Sequence, residues 1–226
     1  MERKKWLSLV LGLIAPLFAQ QVTLTQVDGK LGEVDTILPK GMTGYLLCPF
    51  LNREIICGLA VSIGGNRVQF KVYDSLQNRA MALPVVIPKP GDKIIFQKDY
   101  RRVMVIAPDR QSYYNLVSQY REKGNVVVPS DLMAVFVEDD DKVPTRQEFI
   151  NFAKKLNIGR YIFLSDRGVE EIDALSLTPL RRVPWKGGGK VSYKVPFFTT
   201  YGDWEKIDEP ILKRYKEDIF TFKPGS

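Results

Sequence analysis

The period of the hydrophobic pattern changes once along this chain, at Pro108, and no other feature restricts the fold as much. Before that point apolar residues recur at every second position, in short runs that end at turn-forming residues. Residues 21–25 alternate and lead into Asp28-Gly29, a hairpin-type pair. An apolar run over residues 55–63 stops at Gly64-Gly65-Asn66, and residues 67–73 alternate again. A turn at residues 88–92 is followed by a strand-like segment at 93–97, a polar turn at 98–101 and another strand-like segment at 102–107. Short, punctuated strands of this kind predict a small antiparallel barrel or sandwich.

Beyond Pro108 the period lengthens. Asp109 is placed to cap a helix reaching about residue 122, with Tyr113, Leu116, Val117 and Tyr120 on one stripe and Gly124 as its stop. Residues 126–128 and 132–137 read as strands. Thr145 and Glu148 have the capping-box spacing; Phe149, Phe152, Ala153 and Leu156 form the apolar face of the helix they open, and Gly159 closes it. Residues 160–164 and 169–174 read as strands joined through Asp166-Arg167-Gly168. After Pro184 the chain reads as irregular until Asp208, where a short helix starts with Pro210 in its first turn. The expected class is α+β: an antiparallel β-rich N-terminal half, then a mixed α/β layer with two main helices. The expected divisions are a signal peptide at 1–19, the β-rich half at 20–107, the α/β half at 108–183, and a basic, aromatic arm with a terminal helix at 184–226.

The signal-peptide reading rests on Arg3, Lys4 and Lys5, a thirteen-residue apolar run from Trp6 to Phe18, and Ala19, after which cleavage is expected. A spanning helix needs ~20 residues, so the run suits export. A retained anchor and a buried N-terminal helix are the competing readings. Residues 1–19 hold those three cations and Glu2, so the formal charge of +7 becomes +5 without them. In an exported protein, in the periplasm or at the cell surface, that modest excess points to a protein or an anionic envelope component as partner, not to nucleic acid.

Export also permits a disulfide. Cys48 and Cys57 flank a stretch whose midpoint lies between Asn52 and Arg53, with strand-like residues on either side. A hairpin turning there sets the two cysteines opposite each other, within bridging range. Two free buried thiols are the alternative.

The chemistry is narrowed by what is missing. Histidine is absent from the 226 residues, which excludes Ser-His-Asp and Cys-His hydrolases and His-ligated metal sites. Two cysteines cannot complete a Cys-rich zinc site. The acidic run Glu138-Asp139-Asp140-Asp141 lacks the spacing of a calcium loop and reads as a solvated loop. Gly187-Gly188-Gly189-Lys190 has Pro184 and Val191 where a phosphate loop needs Gly and Ser or Thr. Glu170 and Glu171 are adjacent on a strand, so they face opposite ways and make no acid/base pair. No catalytic residue, metal or cofactor is expected. The least ordinary stretch is 174–202, which contains no Asp or Glu. Within it Arg181, Arg182, Trp185, Lys186, Lys190 and Lys194 form a candidate patch for an anionic partner. The competing reading packs the aromatics on the body and leaves the lysines in solvent.

Several short segments together resemble one known family. They are Gly44-Tyr45-Leu46-Leu47 with Glu54-Ile55-Ile56, then residues 89–96 from Lys89-Pro90-Gly91-Asp92 to Phe96, and Val105-Ile106-Ala107-Pro108-Asp109. Further along are residues 130–136, Gly159-Arg160-Tyr161-Ile162-Phe163, and Val195-Pro196-Phe197-Phe198. In that order and spacing, over residues 38–201, the series resembles the N-terminal domain of bacterial plasminogen-binding proteins of the PgbA type. The resemblance implies an exported, non-catalytic envelope protein and an activity of capturing host plasminogen. In the family that capture is attributed to lysines, notably a C-terminal one that presents an ammonium and a carboxylate together. This sequence closes on Ser226, and no binding residue carries over. The expected function is an envelope interaction or scaffold module. Capture of host plasminogen at the surface is the alternative, and a carboxylate-based hydrolase stands third.

Overall fold

Strand β1 (Gln20–Asp28) turns at Gly29 into β2 (Leu31–Leu38), with Asp28 opposite Leu31. Their inward residues Val22, Leu24, Val34 and Leu38 are buried, as the alternation requires. The computed structural model describes residues 19–73, 87–137, 143–187, 190–201 and 210–221. The expected signal peptide up to residue 18, the acidic run, Gly188-Gly189 and Asp208 lie outside the described residues.

Strands β3 (Thr43–Phe50) and β4 (Arg53–Lys71) form the next hairpin. Its turn is Leu51-Asn52, both with positive φ (44° and 64°), the backbone that a tight two-residue hairpin demands. Gly64-Gly65 does not end β4. Their φ values of 105° and 68° bend the strand instead, so its first part pairs with β3 and its later part with β2. Strand β5 (Lys93–Phe96) pairs with both β1 and β3 and closes a barrel of order β1-β2-β4-β3-β5. Val22, Leu24, Leu46, Ala60, Val68, Ile94 and Phe96 fill it.

The hairpin carries the disulfide Cys48–Cys57, with Cα atoms 5.9 Å apart. Its register differs from the expected one. The turn comes one residue earlier, which sets Cys48 opposite Ile55. A bulge follows, where Leu47 pairs with Ile56 but Leu46 pairs with Gly58, leaving Cys57 as the extra residue. The bulge brings Cys57 back within reach of Cys48.

Strand β6 (Arg102–Ile106), grouped with the β-rich half in the sequence reading, belongs to a second sheet. Residues Val103, Met104, Val105, Ile106 and Ala107 are all buried, so both faces are covered, as in a central parallel strand. The chain thus leaves the barrel after Phe96. Helix α1 (Arg110–Glu122) follows, with Asp109 accepting from Ser112 N at 2.9 Å and the expected stripe of Tyr113, Leu116, Val117 and Tyr120 buried. Strand β7 (Val126–Val128) returns parallel to β6.

Residues 132–137, expected to be a strand, lie largely in a short helix α2 (Asp131–Phe136). Too few residues were present for period two to be decisive, and Leu, Met and Ala behind Ser130-Asp131 favour a helical turn. Helix α3 (Arg146–Leu156) has both capping-box bonds between Thr145 and Glu148. Asn157, in the left-handed conformation, ends it rather than Gly159. Strands β8 (Arg160–Ser165), β9 (Gly168–Asp173) and β10 (Pro179–Val183) complete a mixed sheet of order β10-β9-β8-β6-β7. Helix α4 (Ile211–Arg214), with Pro210 as its N-cap, runs into one π-helical turn over Tyr215–Ile219. Tyr215 and Phe220 pack on Phe149, Tyr161 and Phe163. The architecture is α+β.

Candidate functional site

Charge enters the sheet through β9, every residue of which is buried. Glu171 accepts from Tyr120 of α1 at 2.7 Å and from Arg181 of β10 at 2.7 Å, and it pairs closely with Arg160 of β8. The Arg160 guanidinium, 1 % exposed, also donates to Tyr100 O at 2.9 Å and Asn125 Oδ1 at 2.8 Å. Burial alone would raise the Glu171 carboxyl. The bond from Arg181, the charge of Arg160 and the bond from Tyr120 outweigh it and hold the group below the usual carboxylate range. Glu170 accepts from Ser165 Oγ at 2.9 Å and lies 3.6 Å from Arg182.

Asp173, at the end of β9, ties sheet to barrel. It accepts from Thr43 N (2.9 Å), Thr43 Oγ1 (2.7 Å), Tyr100 Oη (2.6 Å), Leu175 N (3.0 Å) and Ser176 N (2.8 Å). Burial, then the Asp173 charge, push the Tyr100 phenol up. Beside this seam Tyr45 Oη donates to Asp99 at 2.7 Å, and burial pushes its phenol up as well. Thr43, Tyr45, Lys98, Asp99, Gly159 and Leu175 line a small crevice there. These charged groups are saturated by one another and by backbone, which is how buried polar groups persist in a core.

The sheet has a topological switch point, the usual ligand position in an open α/β sheet. From β6 the chain goes to β7 on one side and to β8 on the other, so a crevice opens at the carboxyl ends of β6 and β8. The arm fills it. Tyr193 Oη lies 3.0 Å from Ile106 O and 2.9 Å from Leu164 O, placed to share its proton between the two strand ends. Phe198 N donates to Ala107 O at 2.8 Å, and Ser130 Oγ to Phe198 O at 2.6 Å. Thr199 and Thr200 donate to Asp131, and Tyr215 Oη donates to Pro196 O.

The candidate patch is divided by this arrangement. Arg181 and Arg182 sit side by side on β10 and pair with Glu171 and Glu170 of the neighbouring strand. Trp185 is half-buried against the core over α1. Lys186, Lys190 and Lys194 are exposed, whereas Tyr193 and Phe197 are buried. The stretch without acidic residues is therefore partly neutralised from β9. Sequence reasoning did not single out Arg160 or Asp173. The available signal was a charged residue inside an apolar strand, Arg160 before 161–164 and Glu170-Glu171 before Ile172. Among the described residues no group of three His, Cys, Asp or Glu is placed to hold a metal, and no helix is long and apolar enough to cross a membrane.

The comparisons with known proteins agree on one family. The family described as "Plasminogen-binding protein pgbA N-terminal" matches residues 20–219. The Plasminogen-binding protein PgbA of Helicobacter pylori strain J99 is 22% identical over 175 residues, which is 76% of this chain and 36% of the relative. The chain thus spans about a third of the length of that relative. No solved structure matches it. The match covers every strand and helix among the described residues, and the chain belongs to the PgbA N-terminal family of plasminogen-binding proteins.

Proposed function

We propose that this chain is an exported, non-catalytic interaction module of the cell envelope, binding a protein or an anionic envelope component in the periplasm or at the cell surface. Family membership across residues 20–219 carries the reading. The Cys48–Cys57 bridge supports it, because disulfides persist in oxidising compartments. Further support for binding over catalysis comes from Glu171 and Asp173, whose oxygens are taken up by protein donors, and from the arm in the switch-point crevice. For an anionic component the available arm cations are Lys186, Lys190 and Lys194, since Arg181 and Arg182 are engaged.

A second reading, capture of plasminogen, is favoured by the name of the Helicobacter pylori relative. The test is binding of residues 20–226 to immobilised plasminogen, with and without a lysine analogue. Saturable binding that the analogue competes away supports capture through lysines. No binding removes that reading and leaves the envelope module, which crosslinking in intact envelopes then tests by asking for one recurrent partner.

A further inference from the structure

Cations gather where the parallel strands begin. Lys98 and Arg101 lie in the turn before β6, and Arg121 and Lys123 close α1 just before β7. All four are exposed. Arg101 donates to Gly124 O at 3.0 Å through Nη2, and Val126 N donates to Arg101 O at 2.8 Å, so the two turns are in contact. Among the described residues none of the four cations has a carboxylate within ion-pair distance. The carboxylates at this end are engaged elsewhere, Asp99 by Tyr45 and Glu122 by Ser118. At the other end of the same strands the chain leaves through Asp109, Asp131 and Asp166. Those carboxylates are themselves taken up, Asp109 by Ser112, Asp131 by Thr199 and Thr200, and Asp166 by Lys216.

Cations at a helix C-terminus complement its dipole. That explains Arg121 and Lys123 but not Lys98 and Arg101, which follow a strand. Two further features sit at the same place. Val126, beside Arg101, is an apolar residue 52% exposed on the edge strand. Gln20 pairs with Phe96, so the first barrel strand begins beside the turn that carries Lys98 and Arg101. We infer that the face formed by Lys98, Arg101, Arg121 and Lys123 docks the protein on a bilayer surface bearing anionic phospholipid headgroups. The ammonium and guanidinium groups pair with headgroup phosphates, and Val126 enters the interface. This surface is separate from the arm and does not rest on plasminogen capture.

Every described element lies within residues 20–221, so the test uses the chain without residues 1–19, which keeps the apolar run from inserting. Cosedimentation is measured with vesicles of equimolar phosphatidylglycerol and phosphatidylcholine, and with phosphatidylcholine alone. Binding to the anionic vesicles only, weakening as salt is added, is the expected result. The variant R101E/R121E/K123E should bind on the order of 100-fold more weakly, from the worth of a cation near an anionic surface. K186E/K190E/K194E changes the net charge equally and should bind within about threefold of the unaltered protein. A neutral variant, R101Q/R121Q/K123Q, guards against reversal at the helix end disturbing the fold, and should be weakened ~10-fold or more. Equal loss in the two reversed variants, equal binding to both vesicle types, or no cosedimentation at all would overturn the inference. Each of these leaves the plasminogen measurement unaffected.

Discussion

Glu171 concentrates most of the chemistry that the sheet buries. Its carboxylate meets Arg160, Arg181 and Tyr120, and those partners hold it below the usual range against the effect of burial. A depressed native pKa adds stability that is fully present above the ordinary value of about 4.3 and is lost as the pH falls through the native one. Glu171→Gln should therefore cost about 3–5 kcal/mol at pH 7, because Arg160 is left buried without its counter-charge. The gap to the unaltered protein should begin to narrow below the ordinary value of about 4.3 and close only once the pH is under the lowered native one, where both side chains are neutral. Urea midpoints at the two pH values check this, and a gap that widens in acid would contradict the assignment. None of this was legible from adjacency. The sequence placed Glu170 and Glu171 on opposite faces of a strand, but not that both faces are covered.

At the scale of elements, the β3–β4 hairpin shows how a correct pairing can rest on an incorrect register. Cys48 and Cys57 were recognisable as a pair because strand-like residues flank a turn. The bulge that aligns them follows from the positive-φ turn at Leu51-Asn52 and from contact with β5 on the far side of β3. The bridge closes a short loop, so its contribution should be ~2–3 kcal/mol. Cys48→Ala/Cys57→Ala should lower the melting temperature by about 5–10 °C, and dithiothreitol should lower that of the unaltered protein equally. Unchanged melting under reduction would mean that the bridge contributes nothing. Helices α1 and α3 were legible because stripe and N-cap agree over three turns. The segment forming α2 offers one turn, too short for any period to show.

Across the whole molecule the barrel and the sheet meet at a seam with little room. A Cβ placed on Gly159 would lie 2.3 Å from the carbonyl carbon and oxygen of Asp99, backbone atoms that cannot swing away. Its φ lies outside the positive range, so the requirement is steric rather than conformational. Gly159→Ala should cost ~1–3 kcal/mol by forcing the α3–β8 connection off the barrel. Chemical denaturation measures it, and an unshifted midpoint would mean that the seam yields. Three of the five donors on Asp173, two from Thr43 and one from Tyr100, cross this boundary, which makes the seam part of the core rather than a linker.

Local order was determined by the sequence itself. Alternation marked the barrel strands, a 3.6-residue stripe marked α1 and α3, and capping residues marked where those helices begin, because each depends on neighbours a few positions away. A histidine-free composition restricted the chemistry in the same direct way. Tertiary structure alone decided how these pieces share surface. It assigned residues 102–106 to the second sheet, carried β4 past its two glycines, set Glu171 against Arg160 and seated Tyr193 between two strand ends. Those outcomes depend on contacts between residues far apart in the chain. Whether a run of apolar residues is covered on one face or two is a property of its neighbours, and no local period records it.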